Sequence, residues 1–418
     1  MLLSAIYWLT VKLYAGTLHI ASLYNQKAKL FIQGRRGLFL KIENTLKNEM
    51  RPCIWMHCAS LGEFEQGRPV LESIKKQYPS YVIVLTFFSP SGYEVRKHYE
   101  GADHVFYLPL DSSKNAKQFL DILQPKLCVF VKYELWYYYL TNIARLHIPA
   151  ILISARFRKD QLFFKFYGEL HRKMLSCFKA IFVQDEVSKT LLQNIGYKNV
   201  IVNGDTRFDR VLEASIERQE LPIATSFCKE GKIFIAGSTW RADEVFLQRV
   251  YSQLPSHWKM ILVPHEVDEA HIEAIEKLYA GETIRWSAWK EDTHKRMLIV
   301  DKIGLLMQLY WFGNMAWIGG GFDKEGVHNV LEAAVYGVPC FFGPIFHQFI
   351  EAGELIQAGG AITFEKPSDY LLLISRLEND KIAYEKMCNA AKQYVISKAG
   401  ATIAILNYLE EKKLLSTP

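Results

Sequence analysis

Short apolar runs alternate with amphipathic segments along most of the chain from about residue 52 onward. Each run is apolar almost throughout, which is typical of strands buried on both faces of a parallel sheet. The amphipathic stretches between the runs predict the helices that cover such a sheet. The first series of predicted strands consists of CIWMHCA (53–59), YVIVLTFF (81–88), KLCVFVK (126–132), PAILISA (149–155) and AIFVQ (180–184).

A second series of the same kind follows a break in the pattern. Residues 213–230 lack a clear period and predict a linker. The second series consists of KIFIAGS (232–238), WKMILVP (258–264), RMLIVD (296–301), MAWIGGG (315–321) and VPCFFG (338–343). Two series of similar size predict an α/β protein with two Rossmann-like domains. We place these domains at residues 31–218 and 219–395, and we expect a helical tail over 396–418.

The segment before the first domain, residues 1–30, is a separate predicted element. Residues 1–42 contain no Asp or Glu, and the apolar stretch at the N-terminus is interrupted by Lys12 and His19. About 20 apolar residues can span a bilayer as a helix, but a lysine at the centre of such a helix is costly. Three interpretations remain: a cleaved signal peptide, a core helix of a soluble protein, or a membrane anchor that spans the bilayer or lies in its interface. The anchor is favoured, because the basic segment that follows would face anionic lipid on the cytoplasmic side.

Composition and charge narrow the function classes. Half of the residues are hydrophobic, which excludes wholesale disorder. A formal charge of +6 on 418 residues is too small to indicate a nucleic-acid partner. The seven cysteines are odd in number and form no C-x-x-C pair, so neither a disulfide framework nor a zinc site is expected. This cysteine pattern favours a reducing compartment.

Charged residues follow several strands of the first series. Glu63, in the turn SLGE after the first strand, is either a helix-start carboxylate or a general base at the mouth of a cleft. Glu134, in YELW after a later strand, is either a helix cap or a functional carboxylate. Arg207, in GDTRFD, lies in a solvated salt-bridged turn or contacts an anion. In open α/β sheets ligands bind at these strand ends.

The second series suggests a nucleotide site. The glycines at 319–321 follow a strand and would let a backbone approach a ligand, and a helix predicted to begin at about His328–Asn329 would offer its N-terminus to a phosphate. Glu332 could accept hydrogen bonds from a ribose. Three further segments should line the same edge: AGSTW with Ser238, LVPHE with Pro264 and His265, and IGLL with Gly304. G-x-G-x-x-G and the P-loop motif are both absent, and without a D-x-D motif we expect no bound metal.

Seven motifs in this order resemble those of the bacterial Kdo transferases, the 3-deoxy-D-manno-octulosonic acid transferases of lipopolysaccharide assembly. They are HCASLGE, ELW, ISAR, GDTRFD, AGSTW, LVPHE and GGGF…HNVLEAA…GVPCFFGP. The resemblance covers essentially the whole chain. The H-N-x-L-E block is shared with other two-domain glycosyltransferases, whereas the S-x-G-E turn together with E-L-W is more specific.

The resemblance implies an α/β fold of the GT-B class, with two Rossmann-like domains facing a central cleft and an N-terminal membrane-associated helix. The first domain would take a lipid A precursor (lipid IVA) and the second would take CMP-Kdo. Kdo would be transferred with inversion, without a metal and without a cofactor. The enzyme would lie on the cytoplasmic side of the bacterial inner membrane, with no nucleic acid among its partners.

The resemblance also implies roles for single residues. Glu63 matches the proton acceptor, and Glu134 and Arg207 match positions assigned to transition-state stabilisation. Together with Ser238, Gly320 and Gly321, the residues expected to hold the CMP moiety are Pro264, His265, Ile303, Gly304, Leu305, Asn329, Val330, Leu331 and Glu332.

Two departures from the family pattern leave some of these roles open. Many relatives have P-R-H where this chain has Pro264-His265-Glu266, and many have G-E-L where it has Gly304-Leu305-Leu306. Two other functions stay possible: another GT-B nucleotide-sugar enzyme, and a non-catalytic membrane-associated scaffold with a degenerate nucleotide site. The number of Kdo residues added and the acylation of the acceptor are open, as is the oligomeric state.

Overall fold

The structure is a computed structural model that describes residues 2–217, 219–279, 281–291 and 294–416. Within these residues the β-strands are Cys53–Cys58 (β1), Val82–Phe87 (β2), His104–Tyr107 (β3), Pro125–Val131 (β4), Ala150–Ala155 (β5), Ala180–Val183 (β6), Val200–Val202 (β7), Lys232–Thr239 (β8), Trp258–Pro264 (β9), Thr283–Arg285 (β10), Met297–Ile299 (β11), Met315–Ile318 (β12), Cys340–Phe342 (β13) and Ala361–Thr363 (β14).

The α-helices within the same ranges are Leu2–Ala21 (α1), Gln26–Gln33 (α2), Leu38–Leu46 (α3), Leu61–Gln77 (α4), Pro90–Arg96 (α5), Ser113–Leu123 (α6), Tyr137–Arg145 (α7), Glu169–Leu175 (α8), Glu186–Asn194 (α9), Thr206–Ile216 (α10), Pro222–Phe227 (α11), Arg241–Tyr251 (α12), Glu269–Leu278 (α13), Leu306–Leu309 (α14), Leu331–Ala334 (α15), Ile350–Ala358 (α16), Pro367–Asn379 (α17), Lys381–Lys398 (α18) and Ala401–Glu411 (α19). Short 3-10 helices cover Leu162–Phe164, Trp286–Ala288 and Tyr310–Phe312.

The chain divides into two compact units. The first contains residues 1–210 and 399–418, and the second contains residues 211–398. The predicted domain bounds at residues 1, 218 and 418 lie outside the described residues. The last helix, α19, packs in the first unit, where Ile405 and Leu409 join a buried cluster with residues of α4. The tail that the sequence sets apart therefore returns to the unit in which the chain begins.

Each unit is built on a seven-stranded parallel sheet. In the first unit the strand order is β3-β2-β1-β4-β5-β6-β7, and in the second it is β10-β11-β9-β8-β12-β13-β14. The prediction of two Rossmann-like α/β domains is confirmed. Four short strands, β3, β7, β10 and β14, have three or four residues and were not among the predicted runs.

Both faces of the first sheet are buried, which explains why its strands read as continuous apolar runs. Successive residues of a strand point to opposite faces. On one face Trp55 joins a buried cluster with Phe119 and Tyr139, and on the other face Ile54 and Met56 join a second cluster. The packed sheet thus fixes the positions of the loops that follow its strands.

The apolar N-terminal segment forms the helix α1, as predicted. One side of α1 contacts the first unit: the Tyr7 hydroxyl donates to Asp111 at 2.6 Å, and the Tyr14 ring lies against Phe31 and Phe88. The other side leaves apolar side chains exposed, among them Ile6, Leu9, Leu13 and Ile20. Within the described part of the chain, no helix combines the length and the apolar character needed to cross a bilayer. Membrane association of α1 stays a prediction.

Candidate active site

The strand order of the first sheet reverses at β1, because β2 and β3 lie on one side of it and β4 to β7 on the other. In open α/β sheets ligands bind at such a switch point, outside the carboxyl ends of the two strands. Glu63 follows β1 and Glu134 follows β4. The two carboxylates predicted from the sequence therefore flank the switch point of the first unit.

Glu63 takes part in the start of α4. The Ser60 side chain caps this helix and accepts from the backbone N–H of Glu63, while the Glu63 carboxylate accepts from the backbone N–H of Ala59 at 2.6 Å. This reciprocal arrangement satisfies N–H groups that a helix start leaves unpaired. The helix-start role that the sequence offers as an alternative is thus present.

The pKa of Glu63 is raised to about 7, chiefly by burial and then by the negative charge of Glu134. The hydrogen bond from Ala59 and the positive charge of Lys132 act in the opposite direction but are smaller. A group that accepts a proton in catalysis works best with a pKa near the operating pH. A pKa near 7 fits the general-base role that the sequence offers as one alternative for Glu63.

Glu134 accepts a hydrogen bond from Trp136 and lies beside His57. The Trp136 indole N–H lies 2.9 Å from Glu134 Oε2 and 3.1 Å from His57 Nε2. His57 is fully buried, and its Nε2 lies 3.2 Å from the same carboxylate oxygen. Its other ring nitrogen lies 2.8 Å from Thr86 Oγ1, which fixes the ring. These contacts orient the Glu134 carboxylate beside the switch point.

The segment that carries Glu134 is fastened by a buried carboxylate. Asp111 accepts the backbone N–H groups of Tyr138 and Tyr139 at 3.0 and 3.2 Å, at the first turn of α7. The same carboxylate accepts the Tyr7 hydroxyl of α1. Burial raises the pKa of Asp111 to about 6. The N-terminal helix is therefore linked to α7, whose cap is Trp136.

Arg207 is ion-paired within its own turn. Its Nε and Nη2 donate to Asp205 Oδ2 at 2.9 and 2.8 Å. Asp205 is buried, and the Gln66 amide nitrogen lies 3.4 Å from its Oδ1. The salt-bridged turn that the sequence offers as an alternative is thus present, so Asp205 offsets part of the charge on Arg207. Since Gln66 lies on α4, this network joins α10 to the helix of Glu63.

The switch point of the second sheet lies between β8 and β12. Ser238 lies near the end of β8 with a φ of 53°, where the register with β9 shifts. The three glycines follow β12. A Cβ atom on Gly319 would lie 2.1 Å from Ser238 O, and one on Gly321 would lie 2.5 Å from Gly343 N. Gly320 has a φ of 89°. These glycines are therefore required by close approach of the chain's own backbone, whereas the sequence suggested approach of a ligand.

Three rings stack beside this point. The His265 ring lies 4.6 Å from the Trp240 ring and 4.5 Å from the His328 ring. The Trp240 indole N–H donates to His328 Nε2 at 2.8 Å. Burial, with a smaller effect of His265, lowers the pKa of His328 to about 4. His328 is therefore neutral at pH 7 and accepts a hydrogen bond. His265 was predicted as a site residue, and it directly follows Pro264 at the end of β9.

The helix after the glycines begins later than predicted. The sequence places its start at about His328–Asn329, but α15 covers only Leu331–Ala334, with Val330 as its cap. The Asn329 side chain accepts the backbone N–H of Leu331 at 3.2 Å and donates to Glu332 at 3.0 Å. This local turn delays the helix. A single helical turn carries only a small dipole, so the predicted stabilisation of a phosphate by this helix is weak.

Gly304 precedes a helix, as predicted: it has a φ of 92°, and Leu305 caps α14. Ile303 is exposed.

The structure adds residues that sequence reasoning missed. His57 and Asp205 were not singled out, and Trp136 and Trp240 were noted only as parts of motifs. His328 was treated as a helix start. In the sequence, only their position relative to the predicted strands could have indicated these residues. Trp240 and His328 lie in strand-end motifs, and His57 lies inside an apolar strand.

Among the described residues, one group could bring metal-ligating atoms within 4.8 Å of one another: Glu266, Asp268 and His271. Both ring nitrogens of His271 are already within 3.1 Å of oxygen atoms, those of Glu266 and of Glu244. Asp268 caps α13. We therefore assign no metal to this group.

Comparison with known proteins identifies relatives. Residues 32–210 match the family described as 3-deoxy-D-manno-octulosonic-acid transferase (kdotransferase). A 3-deoxy-D-manno-octulosonic acid transferase of Haemophilus influenzae is 27% identical over 370 residues, which cover 85% of this chain and 86% of the relative. The enzyme of the same name from Aquifex aeolicus is 28% identical, over 76% of this chain and 83% of the relative.

Solved structures share the fold at low identity. The UDP-GlcNAc 2-epimerase of Neisseria meningitidis has a TM-score of 0.61 at 16% identity, over 86% of this chain and all of the other. MurG of Acinetobacter baumannii has a TM-score of 0.55 at 15% identity, over 86% of this chain and 99% of the other. These likenesses concern the fold alone, and they confirm the predicted GT-B class. The sequence matches thus show that the chain is similar to the Kdo transferases, a group of glycosyltransferases, over most of its length.

Proposed function

We propose that the protein transfers Kdo from CMP-Kdo to a sugar hydroxyl of a lipid A precursor in lipopolysaccharide synthesis, with inversion and without a metal. The observation that carries this proposal is the pair Glu63 and Glu134 at the switch point of the first sheet. Glu63 has a pKa of about 7, and Glu134 accepts the Trp136 indole N–H. This pairing occurs in a chain whose named relatives are Kdo transferases.

In the proposed reaction Glu63 accepts the proton of the acceptor hydroxyl as that oxygen attacks the anomeric carbon of Kdo. The bond from this carbon to the CMP phosphate oxygen breaks on the opposite face, and CMP leaves as an anion. Glu134 keeps the pKa of Glu63 high enough for it to accept the proton near neutral pH. Arg207, held by Asp205, supplies positive charge toward the Kdo carboxylate or the phosphate.

The donor would bind in the second unit, on the edge that carries Ser238, Pro264, His265 and the 329–332 turn. The flat Trp240–His265–His328 stack supports this assignment, because aromatic faces suit a pyrimidine ring. Ile303, Gly304, Leu305, Gly320 and Gly321 would complete the edge through their backbones. Where many relatives carry an arginine, this chain has His265, so we expect stacking to replace one charged contact.

We also propose that the enzyme works on the cytoplasmic face of the bacterial inner membrane, with α1 lying in the interface. Support comes from the exposed apolar side of α1 and from the basic residues that follow it, which suit an anionic lipid surface. Residues that contact a bilayer in this way bring the acceptor unit to its lipid substrate.

The test combines the purified full chain with CMP-Kdo and a tetra-acylated lipid A precursor, followed by mass spectrometry of the product. We expect a mass increase of one or more Kdo residues. Thermal shifts provide an independent arm: CMP should stabilise the chain, whereas UDP and GDP should not. Stabilisation by UDP with no Kdo transfer would favour another GT-B nucleotide-sugar enzyme, and neither activity nor nucleotide binding would favour a scaffold.

A further inference from the structure

A loop in the first unit, residues 158–168, presents apolar side chains to solvent; we refer to it as the aromatic loop. Phe166 is 93% exposed, Tyr167 is 57% exposed and Leu162 is 46% exposed. A single exposed apolar side chain is common, but neighbouring ones that form a patch mark an interaction site. None of the three belongs to the strand ends that form the candidate active site.

Hydrogen bonds from Arg172 hold the backbone of the aromatic loop in place. The Arg172 guanidinium of α8 donates to the backbone carbonyls of Phe163 and Lys165 at 3.1 and 2.8 Å, and a further contact reaches the carbonyl of Phe166 at 3.4 Å. Phe163 is buried, and its ring lies 5.3 Å from that of Phe157. The loop is therefore anchored on its inner side, while Phe166 points outward from a fixed backbone.

Backbone packing adds to this rigidity. A Cβ atom on Gly168 would lie 1.9 Å from the carbonyl oxygen of Leu162, so only glycine allows the loop to close as it does. The Phe166 and Tyr167 rings meet edge to face, with centroids 4.9 Å apart. The exposed rings are thus part of an ordered surface that needs little rearrangement before it binds a partner.

Charge indicates the kind of partner. The aromatic loop carries Arg158, Lys159 and Lys165 against one acidic residue, Asp160. Residues 156–173 contain six basic side chains and two acidic side chains. Apolar rings surrounded by basic side chains suit the boundary between anionic headgroups and acyl chains, where aromatic residues are favoured.

The loop also neighbours the element that α1 contacts. Lys173, on the helix that follows the loop, lies 5.7 Å from the Tyr137 ring centroid, and that ring lies 5.6 Å from the Tyr7 ring of α1. A chain of side-chain contacts thus runs from the loop's helix through α7 to the N-terminal helix. Both the helix that follows the loop and the N-terminal helix therefore contact α7.

We infer that the aromatic loop is a second membrane contact, separate from α1, which inserts Phe166 and Tyr167 into an anionic bilayer beside the acceptor. This inference deepens the proposed function, on which it rests, since an enzyme that acts on a lipid must hold its acceptor unit at a bilayer. Two contacts hold the unit in a defined orientation, whereas a single helix would leave it free to rotate.

The test measures sedimentation of the full-length protein with vesicles of phosphatidylglycerol and phosphatidylethanolamine, and with vesicles of phosphatidylcholine alone. We expect Phe166→Ser/Tyr167→Ser to weaken partition into the anionic vesicles about tenfold or more. Both side chains are exposed, so the variant should keep the melting temperature of the wild type. Arg172→Lys, which keeps the charge but loses the fork of donors, should weaken binding in the same direction.

The matched control is Leu372→Ser/Ile382→Ser, which removes two side chains that are 72% and 81% exposed in the second unit. It should leave partition unchanged. Equal vesicle binding by the wild type and the loop variant would overturn the inference and leave a protein partner as the alternative for this surface. Equal losses in the loop variant and the control would also overturn it.

A kinetic arm separates this inference from the proposed function. If the function is right, the loop variant should lose transfer to acceptor embedded in vesicles but keep transfer to acceptor dispersed in detergent. If the wild type transfers no Kdo in either form while its vesicle binding still depends on Phe166 and Tyr167, the proposed function fails and the membrane contact stands.

Discussion

At the scale of single residues, the important observation is that two carboxylates at one sheet edge have different environments. Glu63 accepts backbone N–H groups and its pKa is raised, whereas Glu134 accepts the Trp136 indole N–H. Pairs of titratable groups whose environments differ in this way are typical of acid–base sites. Strand-end position was enough to find both residues in the sequence. Their partners could not be found in this way, because His57 and Trp136 become neighbours only when β1 and β4 pair.

We predict that Glu63→Gln lowers the rate of Kdo transfer by about 10²–10⁴-fold, the usual contribution of a general base. The amide oxygen of glutamine can still accept the N–H of Ala59, so the start of α4 should remain intact. The control is Glu65→Gln on the same helix, which removes an ion pair with Arg96 but should leave transfer nearly unchanged. Near-normal turnover of Glu63→Gln would exclude Glu63 as the base, and unchanged CMP binding would show that the second unit is intact.

The pH dependence of the rate should identify the partner of Glu63. Because the base form is needed, transfer should rise with pH through about 7. The negative charge of Glu134 raises the pKa of Glu63, so Glu134→Gln should move this acid limb to lower pH while the maximal rate falls. The limb is read from kcat/KM against pH. Burial also raises this pKa, and Lys132 lowers it, but both remain in the variant. An acid limb at unchanged pH would contradict the pairing of the two carboxylates.

At the scale of elements, the apolar pattern predicted most helices and strands correctly. Each exception has a local cause. The helix expected at His328 is delayed because the Asn329 side chain bonds to the backbone of its own turn. The four missed strands are short. The N-terminal helix formed as predicted, but no sequence pattern could show that Tyr7 would meet Asp111, about a hundred residues away.

We predict that Tyr7→Phe loosens the first turn of α7. Loss of a hydrogen bond to a buried carboxylate costs about 1.5–3 kcal/mol, and Asp111 also holds the N–H groups of Tyr138 and Tyr139. Hydrogen exchange followed by mass spectrometry should show faster exchange at these two amides. Tyr14→Phe is the matched control on the same helix, since the Tyr14 contacts described above are made by its ring. Equal exchange in both variants would show that Tyr7 does not fasten α7.

At the scale of the whole molecule, the two-unit organisation was predictable from two series of apolar runs, but the assignment of the C-terminal helix was not. A helical pattern at the end of a chain carries no information about which unit it will join. The structure supplies the reason: the Asp209 carboxylate accepts the backbone N–H groups of Gly400 and Thr402 at 2.6 and 2.7 Å. Ile405 and Leu409 of α19 then fill the cluster that packs against α4.

We therefore predict that Asp209→Ala releases α19 from the first unit. Two backbone N–H groups and the Thr402 hydroxyl would lose their acceptor, so limited proteolysis should cleave between residues 396 and 404 much faster than in the wild type. Asp380→Ala is a suitable control, because it removes a side-chain acceptor at the start of α18 without touching α19. Unchanged cleavage in Asp209→Ala would mean that apolar packing alone holds the helix.

The return of α19 also has a consequence for synthesis on the ribosome. Residues 1–210 leave the ribosome first, yet the helix that completes their core follows the whole second unit. At about 5–20 residues per second, the intervening stretch of about 190 residues takes roughly 10–40 s to translate. During that interval α19 has not yet been made, so the apolar side of α4, the helix that bears Glu63, is not yet covered by it. The first unit of the nascent chain therefore exposes part of its apolar core, and we expect a chaperone to shield it until α19 has been made.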